Sequence, residues 1–316
     1  MEKKDLKIVF FGTPEFAVES LDALIKNEFN VVGVVTMPDK LAGRGHKLYQ
    51  SDVKRYAVEH NLNILQPEKL KSEDFLESLR NLGADLFIVI AFRMLPREVW
   101  QMPRLGTFNL HASLLPKYRG AAPINRAVMN GDTETGVTTF FLKHEIDTGD
   151  MIMQRRIDIL PEDNVGTVHD KLMHLGAQMV VETVNAIIDE TLSTTPQPEG
   201  EFTPAPKIFK EDCRIDWKKS SADVHNHIRG LSPYPAAWTV IIEESGRPLE
   251  CKIFSSCLSD SEVGESDAGK IKTDGKRMFV ACSDKWLEII ELQPAGKKRM
   301  ATEAFLLGYH PSHIQL

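Results

Sequence analysis

Asn109 and His111 stand two positions apart at the end of an apolar alternation, Phe108-Asn109-Leu110-His111, which leads into a loop punctuated by Pro116, Gly120 and Pro123. On an extended segment alternate side chains share a face, so an amide and an imidazole converge on one spot at a strand end. The amide Nδ2 donates a hydrogen bond, and an imidazole donates one or moves a proton near neutral pH. Together they suit an oxygen on which negative charge develops during acyl transfer. No nucleophilic side chain is needed where the substrate brings its own amine. An isolated Asn-x-His is a weak motif, because Asn109 could simply end a strand and His111 satisfy a turn.

The elements that must position the pair read as an α/β sheet. Lys7-Ile8-Val9-Phe10-Phe11-Gly12 is a continuous apolar run ending in glycine, the pattern of a parallel strand buried on both faces. Thr13 can cap and Pro14 can open a helix whose apolar face is Phe16, Ala17, Leu21, Leu24 and Ile25. Val31 to Val35 is a second buried strand, which completes a βαβ unit with a right-handed crossover. Helices over residues 51–60 and 72–82, a short strand near Ile64 and a buried strand over residues 85–91 continue the alternation. The end of that last strand, Ala91-Phe92-Arg93, falls at the carboxyl edge of the sheet, where open α/β folds place their ligands. A dinucleotide-binding reading is disfavoured, since only Gly12 stands where that fingerprint wants three glycines.

Further along, Pro123 begins a helix to Asn130, and residues 136–142 and 151–159 read as strands. Thr167 is expected to cap a long amphipathic helix bearing Leu172, Leu175, Met179, Val180, Val184, Ile187 and Ile188. Residues 191–206, with four prolines at 196, 198, 204 and 206, read as an extended linker. Beyond it the pattern changes to short strands over 238–242, 249–254, 269–272, 278–282 and 287–292, which suits a small barrel. The expected organisation is a Rossmann-like, mostly parallel sheet domain over residues 1–190, a linker over 191–206 and a small β-barrel domain over 207–316.

With 316 residues, 42% hydrophobic and 26% charged, the chain is an ordinary globular protein with room for two cores. Its apolar runs are too short to cross a bilayer, and no signal-peptide core precedes the first strand, so a cytoplasmic protein is expected. The four cysteines lack Cys-x-x-Cys spacing, so reduced structural thiols are expected and no metal site. A net charge of −7 argues against indiscriminate nucleic-acid binding. Residues 207–316 hold 16 basic and 16 acidic residues, leaving 22 and 29 of the totals 38 and 45 for the preceding part. The carboxy-terminal part is therefore neutral and has the composition to carry a local basic face.

The segment Asn109-Leu110-His111-x-Ser113-Leu114-Leu115-Pro116-x-Tyr118-Arg119-Gly120 resembles the signature of the 10-formyltetrahydrofolate-dependent formyltransferases. Ile146-Asp147-Thr148-Gly149-Asp150 matches that family's Asp-Thr-Gly segment, and the resemblance thereby implies a catalytic set of Asn109, His111 and Asp147. It runs from Phe11-Gly12-Thr13-Pro14-Glu15-Phe16 to Gln293-Pro294-Ala295-Gly296-Lys297-Lys298. The loop over residues 37–47 resembles an insertion found in members that act on initiator methionyl-tRNA, with Arg44 in its Ala-Gly-Arg-Gly. From the resemblance follow an oligonucleotide-binding (OB-like) type of barrel at the carboxy terminus and 10-formyltetrahydrofolate as co-substrate. Its pteridine pocket is implied along Ser113, Leu114, Leu115 and Pro116 and along Ala91, Phe92 and Arg93. Phe92 and Arg93 depart from the family's usual Ala-Tyr-Gly. The implied acceptor is methionine on initiator tRNA, with Arg44, Lys207, Lys210, Lys297, Lys298 and Arg299 as candidates for RNA contact. A monomer without membrane association is expected. A small-molecule amine acceptor, hydrolysis of the formylated folate, and an inert RNA-binding protein of the same fold remain open at this stage.

Overall fold

The computed structural model describes residues 2–42, 47–198, 200, 202–264 and 267–316. Seven segments form the first sheet: β1 (Lys7–Gly12), β2 (Asn30–Val35), β3 (Ile64–Leu65), β4 (Leu86–Ile90), β5 (Thr107–His111), β6 (Glu134–Phe141) and β7 (Met151–Asp158). Their order is β7-β6-β5-β4-β1-β2-β3. The pairs from β3 to β5 are parallel, whereas β6 runs antiparallel to β5. Ile8, Val9, Phe10 and Phe11 are fully buried, as a strand covered on both faces requires. The chain leaves β1 in one direction to reach β2 and returns on the other side to build β4. In open α/β sheets such a reversal point, here at the carboxyl ends of β1 and β4, is where ligands bind.

Helices α1 (Glu15–Lys26), α2 (Asp52–Glu59), α3 (Glu73–Asn81), α5 (Pro123–Met129) and α6 (Val165–Ile188) fall where the sequence puts them, and a short α4 (Arg97–Trp100) that it does not predict stands between β4 and β5. Two caps differ from the expectation. Pro14, not Thr13, occupies the N-cap of α1, with no side-chain hydrogen bond. The long helix α6 begins earlier than Thr167: the Asn164 Oδ1 accepts the Thr167 N–H at 3.1 Å, and the Thr167 Oγ1 accepts the Asn164 N–H at 3.1 Å. Thr167 is thus the third-position partner in a reciprocal box.

Contacts divide the chain into two compact units. One comprises Met1–Gly120, Gly136–Ile157 and His169–Pro204, and the other Ala121–Thr135, Asp158–Val168 and Ala205–Leu316. This division departs from boundaries drawn along the chain, and the reasons are local. Helix α5 joins the second unit because the Asn125 Nδ2 donates to the Gly230 carbonyl at 2.9 Å, and a Cβ on Gly230 would lie 2.4 Å from the Met129 side chain. The segment after α6 stays with the first unit because Thr195 and Met151 exchange both backbone hydrogen bonds, at 2.8 and 2.9 Å.

In the second unit, helix α7 (Ser221–Leu231) precedes β8 (Ala237–Glu243), β9 (Pro248–Glu262), β10 (Ile271–Thr273), β11 (Met278–Ala281) and β12 (Lys285–Pro294), followed by α8 (Thr302–Leu306) and β13 (Pro311–Ile314). The strand order is β10-β11-β12-β9-β8-β13, antiparallel throughout. The ends meet, since the Ile314 N–H donates to the Gly269 carbonyl at 2.7 Å and Lys270 bridges to His313. The result is a nearly closed barrel around Trp217, Ile228, Leu231, Ile253, Met278 and Phe305. Trp217 is buried at 1% exposure, and its indole N–H finds the Thr239 hydroxyl at 3.0 Å. The strand expected over 249–254 extends to Glu262 through register shifts at Ile253/Ser255, Ser255/Ser256 and Leu258/Glu262.

Replacing the Asn164 cap by alanine should lower the free energy of unfolding by about 1 kcal/mol. A lowered urea midpoint at unchanged slope checks this, and an unchanged midpoint contradicts the reciprocal box.

Candidate active site

Strand β5 lies between β4 and β6, with Asn109 opposite Val89 on one side and Phe140 on the other. Asn109 and His111 share a face, as their spacing requires. Asn109 is half-buried, and its amide has no hydrogen-bond partner among the described residues. His111 is buried, and its Nε2 lies 2.9 Å from the Tyr118 carbonyl oxygen. A carbonyl only accepts, so Nε2 carries a proton and donates it. The other ring nitrogen, Nδ1, faces the Asp147 carboxylate at 3.8 Å, with both side chains largely shielded from solvent. That separation is too long for a direct hydrogen bond. The carboxylate is held from elsewhere, accepting the Gly120 N–H at 3.0 Å. An acid beside His111 suggests that it orients the ring; here the Tyr118 carbonyl does so.

The loop after β5 is knitted to its neighbours by two polar side chains that motif reading passed over. The Thr138 hydroxyl on β6 donates to the Ser113 carbonyl at 2.7 Å and accepts the Leu115 N–H at 3.2 Å. The Gln154 Nε2 on β7 reaches the same hydroxyl at 2.9 Å and the Leu115 carbonyl at 3.0 Å. Thr138 has no solvent exposure although it sits in an apolar run, and a hydroxyl at such a position must be paired. That is the one sequence signal that could have found it. Ser113 is fully buried and its hydroxyl donates to the Lys117 carbonyl at 2.6 Å. Leu115 is buried, while Leu114 and Pro116 are half-buried.

Three non-glycine residues at this edge adopt left-handed backbone conformations: Ala91 at φ 46°, Tyr118 at φ 60° and Asp147 at φ 55°. Such conformations cost a side-chain-bearing residue of order 1 kcal/mol or more and persist only where the surroundings hold them. Gly149 shows how the Asp147 turn is held. A Cβ there would lie 1.5 Å from the Phe141 carbonyl oxygen, so only glycine lets the turn fold against β6.

Ile90 is the register partner of Leu110, so Ala91 leaves the sheet beside His111. Phe92 packs edge-on against Phe11 with ring centroids 5.7 Å apart. The Arg93 guanidinium donates to the Glu68 carbonyl at 2.9 Å and also to the Pro67 carbonyl, while its Nε is buried without a partner. Burial depresses its pKa from the usual arginine range. Arg93 thus holds the segment after β3.

The basic candidates of the second unit fall on and beside its sheet. The Lys207 Nζ lies 5.4 Å from the Phe209 ring, and the Lys210 Nζ lies 5.4 Å from the Trp238 ring and 4.0 Å from Glu250. Arg299 pairs with Glu291 and stacks 4.3 Å above Phe254. Lys297 and Lys298 are exposed after β12, where the Lys297 carbonyl accepts from the Gln293 Nε2 at 2.7 Å. Trp238, Lys252 and Gln293 are register partners across β8, β9 and β12, so Lys210 and the 297–298 turn stand at opposite ends of one row. Arg44 lies outside the described residues. The four cysteines are free, and burial pushes Cys251 and Cys282 up to about 12, so neither is a nucleophile near neutral pH. Among the described residues no group of three or more His, Cys, Asp or Glu could hold a metal ion.

Residues 6–184 match the family model described as formyl transferase, and residues 207–310 match that of the formyl transferase C-terminal domain. Methionyl-tRNA formyltransferase of Bacteroides fragilis is 58% identical over 98% of this chain and 97% of its own. That of Phocaeicola vulgatus is 59% identical over 99% and 98%. Among solved structures, a sugar 3N-formyl transferase in the presence of dTDP and 5-N-formyl-THF superposes with a TM-score of 0.66 at 21% identity, covering 93% of this chain and 99% of the other. This last likeness is one of fold.

Thr138→Val keeps the shape and removes the hydroxyl, leaving the Ser113 carbonyl and the Leu115 N–H unpaired. The variant should lose about 1–3 kcal/mol of stability, read from chemical denaturation. A neutral effect would show that the loop is not held this way.

Proposed function

The chain belongs to the formyl transferase family, and from that membership we infer that it transfers the formyl group of 10-formyltetrahydrofolate to the α-amino group of methionine on initiator methionyl-tRNA. The relatives of more than half identity that span nearly its whole length carry the name of that activity. The observation that supports assigning the chemistry to particular residues is the 3.8 Å approach of Asp147 to His111 at the end of β5, with Asn109 on the same face of that strand as His111.

The folate supplies the formyl carbon and a nitrogen leaving group, N10. The methionine nitrogen forms a bond to that carbon, the carbon's bond to N10 breaks, N10 gains a proton and the amine loses one. The free Asn109 amide fits the formyl oxygen, to which it donates as negative charge grows there; one such donor is worth roughly 3 kcal/mol of barrier. The His111 Nε2 is committed to the Tyr118 carbonyl, so the proton for N10 is assigned to Nδ1. Asp147, beside Nδ1, offsets positive charge on the ring and takes the amine's proton through a water.

The proposed folate site runs along Ser113, Leu114, Leu115 and Pro116 and along Ala91, Phe92 and Arg93. Because the Ser113 hydroxyl and the Arg93 guanidinium are bonded to carbonyls within the protein, backbone groups and apolar surface are assigned the contacts there. Residues 1–190 are assigned the chemistry and residues 207–316 the RNA, with 191–206 between them. Arg44, Lys207, Lys210, Lys297, Lys298 and Arg299 are the proposed RNA contacts, with Arg299 the least available because of its pairing with Glu291. The enzyme is proposed to act as a cytoplasmic monomer without a metal.

Incubation with 10-formyltetrahydrofolate and methionyl-charged initiator tRNA should yield formylmethionine on the RNA; formate release without formylation would contradict the reading. Asn109→Ala should lower kcat by about 10²–10³-fold, measured at saturating substrates. Arg44→Ala should raise KM for the charged tRNA while leaving folate affinity unchanged, and unchanged tRNA kinetics would remove that loop from acceptor recognition.

A further inference from the structure

Gln197 lies in the proline-rich segment after α6, far in sequence from every motif residue, yet its side chain reaches the back of the Asp147 turn. Its Nε2 donates to the Asp147 carbonyl at 2.7 Å and to the Gly149 carbonyl at 2.9 Å. Its Oε1 accepts from the Arg119 guanidinium, at 3.1 Å from Nε and 2.5 Å from Nη2. Both amide protons and the carbonyl oxygen are in use, and the residue is half-buried. The same segment is anchored on either side, by the backbone exchange between Thr195 and Met151 and by the Tyr118 N–H donating to the Thr203 carbonyl at 2.6 Å.

We propose that Gln197 is a positioning residue for the transfer reaction, which sets the place of the Asp147 carboxylate by tying the 147–149 turn to the Tyr118-Arg119-Gly120 segment. The inference rests on the reading of Asp147 given above. One amide joins two loops that must keep register with each other. The 118–120 segment presents the carbonyl that holds His111 and the N–H that holds Asp147. The turn carries Asp147 in a left-handed conformation that needs outside support. Without the Nε2 donors, two backbone carbonyls lose their partner and the turn is free to slide relative to the 118–120 segment. The 3.8 Å separation of Asp147 from the His111 Nδ1 is then no longer fixed. Arg119 reinforces the tie, because its guanidinium also stacks 4.8 Å from the Phe202 ring and so arrives at Gln197 already oriented.

Gln197→Glu separates the two halves of the contact. It keeps an acceptor for Arg119 but turns a carboxylate against the Asp147 and Gly149 carbonyls. Gln197→Met removes both halves at similar size and serves if the acid variant does not fold. Transfer to methionyl-tRNA is measured for each variant, for Asp147→Asn, and for each combined with Asp147→Asn. Gln197→Glu or Gln197→Met should lower kcat by about 10²-fold, the loss typical of a misplaced catalytic group, with KM for the formyl donor unchanged. In the Asp147→Asn background the same substitution should cost nothing more, since the group it positions is already disabled. A wild-type kcat in the Gln197 variants beside an impaired Asp147→Asn would overturn the inference and leave the site standing. An equal fractional loss in both backgrounds would also overturn it, because Gln197 would then act independently of Asp147. Asp147→Asn at the wild-type rate would overturn the site and the inference together.

Discussion

The distance between an imidazole and a carboxylate is fixed here by two backbone groups of one short segment. The Tyr118 carbonyl accepts from the His111 Nε2, and the Gly120 N–H donates to Asp147. With one side chain held by a residue and the other by the next but one, their separation of 3.8 Å is set at this segment, provided that the turn carrying Asp147 is kept against it. The left-handed backbone of Tyr118 aims the first of these groups, its own carbonyl, at the ring. Backbone groups are well suited to the task, because they cannot rotate away as side chains do and need no charge of their own.

A segment of that kind has to be immobile, and the sheet provides for this. Strands β1 to β5 alone would make an open parallel sheet with a crevice at its reversal point. The antiparallel return through β6 and β7 adds what a parallel sheet lacks, side chains coming back over the loop after β5. Thr138 and Gln154 arrive on those strands and absorb the polar groups of residues 113–115. Of the left-handed residues, Tyr118 is held by its bonds to His111 and Thr203, and Asp147 by its bond to Gly120 and the close approach of Gly149 to Phe141. Arg93 adds a further brace by holding the carbonyls of Pro67 and Glu68.

The sheet was legible in the sequence because continuous apolar runs such as Ile8-Val9-Phe10-Phe11 have no stable place except between two layers. Asn109 and His111 were legible for a similarly local reason, since a spacing of two on a strand guarantees a common face. Asp147 was not, because it lies on a turn with no periodicity and only its likeness to a family segment marked it. Gln154 and Gln197 were invisible for the same reason, since each acts through long-range hydrogen bonds that leave no repeating trace, and Thr138 showed only as a hydroxyl in an apolar run, with nothing to name its partners. The helix α6 boundary was misplaced by three residues because Asn164 and Thr167 are both capping types, and their reciprocal roles emerge only from geometry. The last barrel strand, Pro311–Ile314, escaped because proline, serine and histidine dominate it and its pairing comes from β8.

The claim that one coupled unit performs the transfer is most directly tested by single-turnover formation of formylmethionyl-tRNA in the His111→Ala, Asp147→Asn and doubly substituted chains. Groups that act as a unit lose their joint contribution when either is removed. The account predicts that the double variant is no slower than the slower single one. Losses that multiply in the double variant, or either single variant at the wild-type rate, would contradict it.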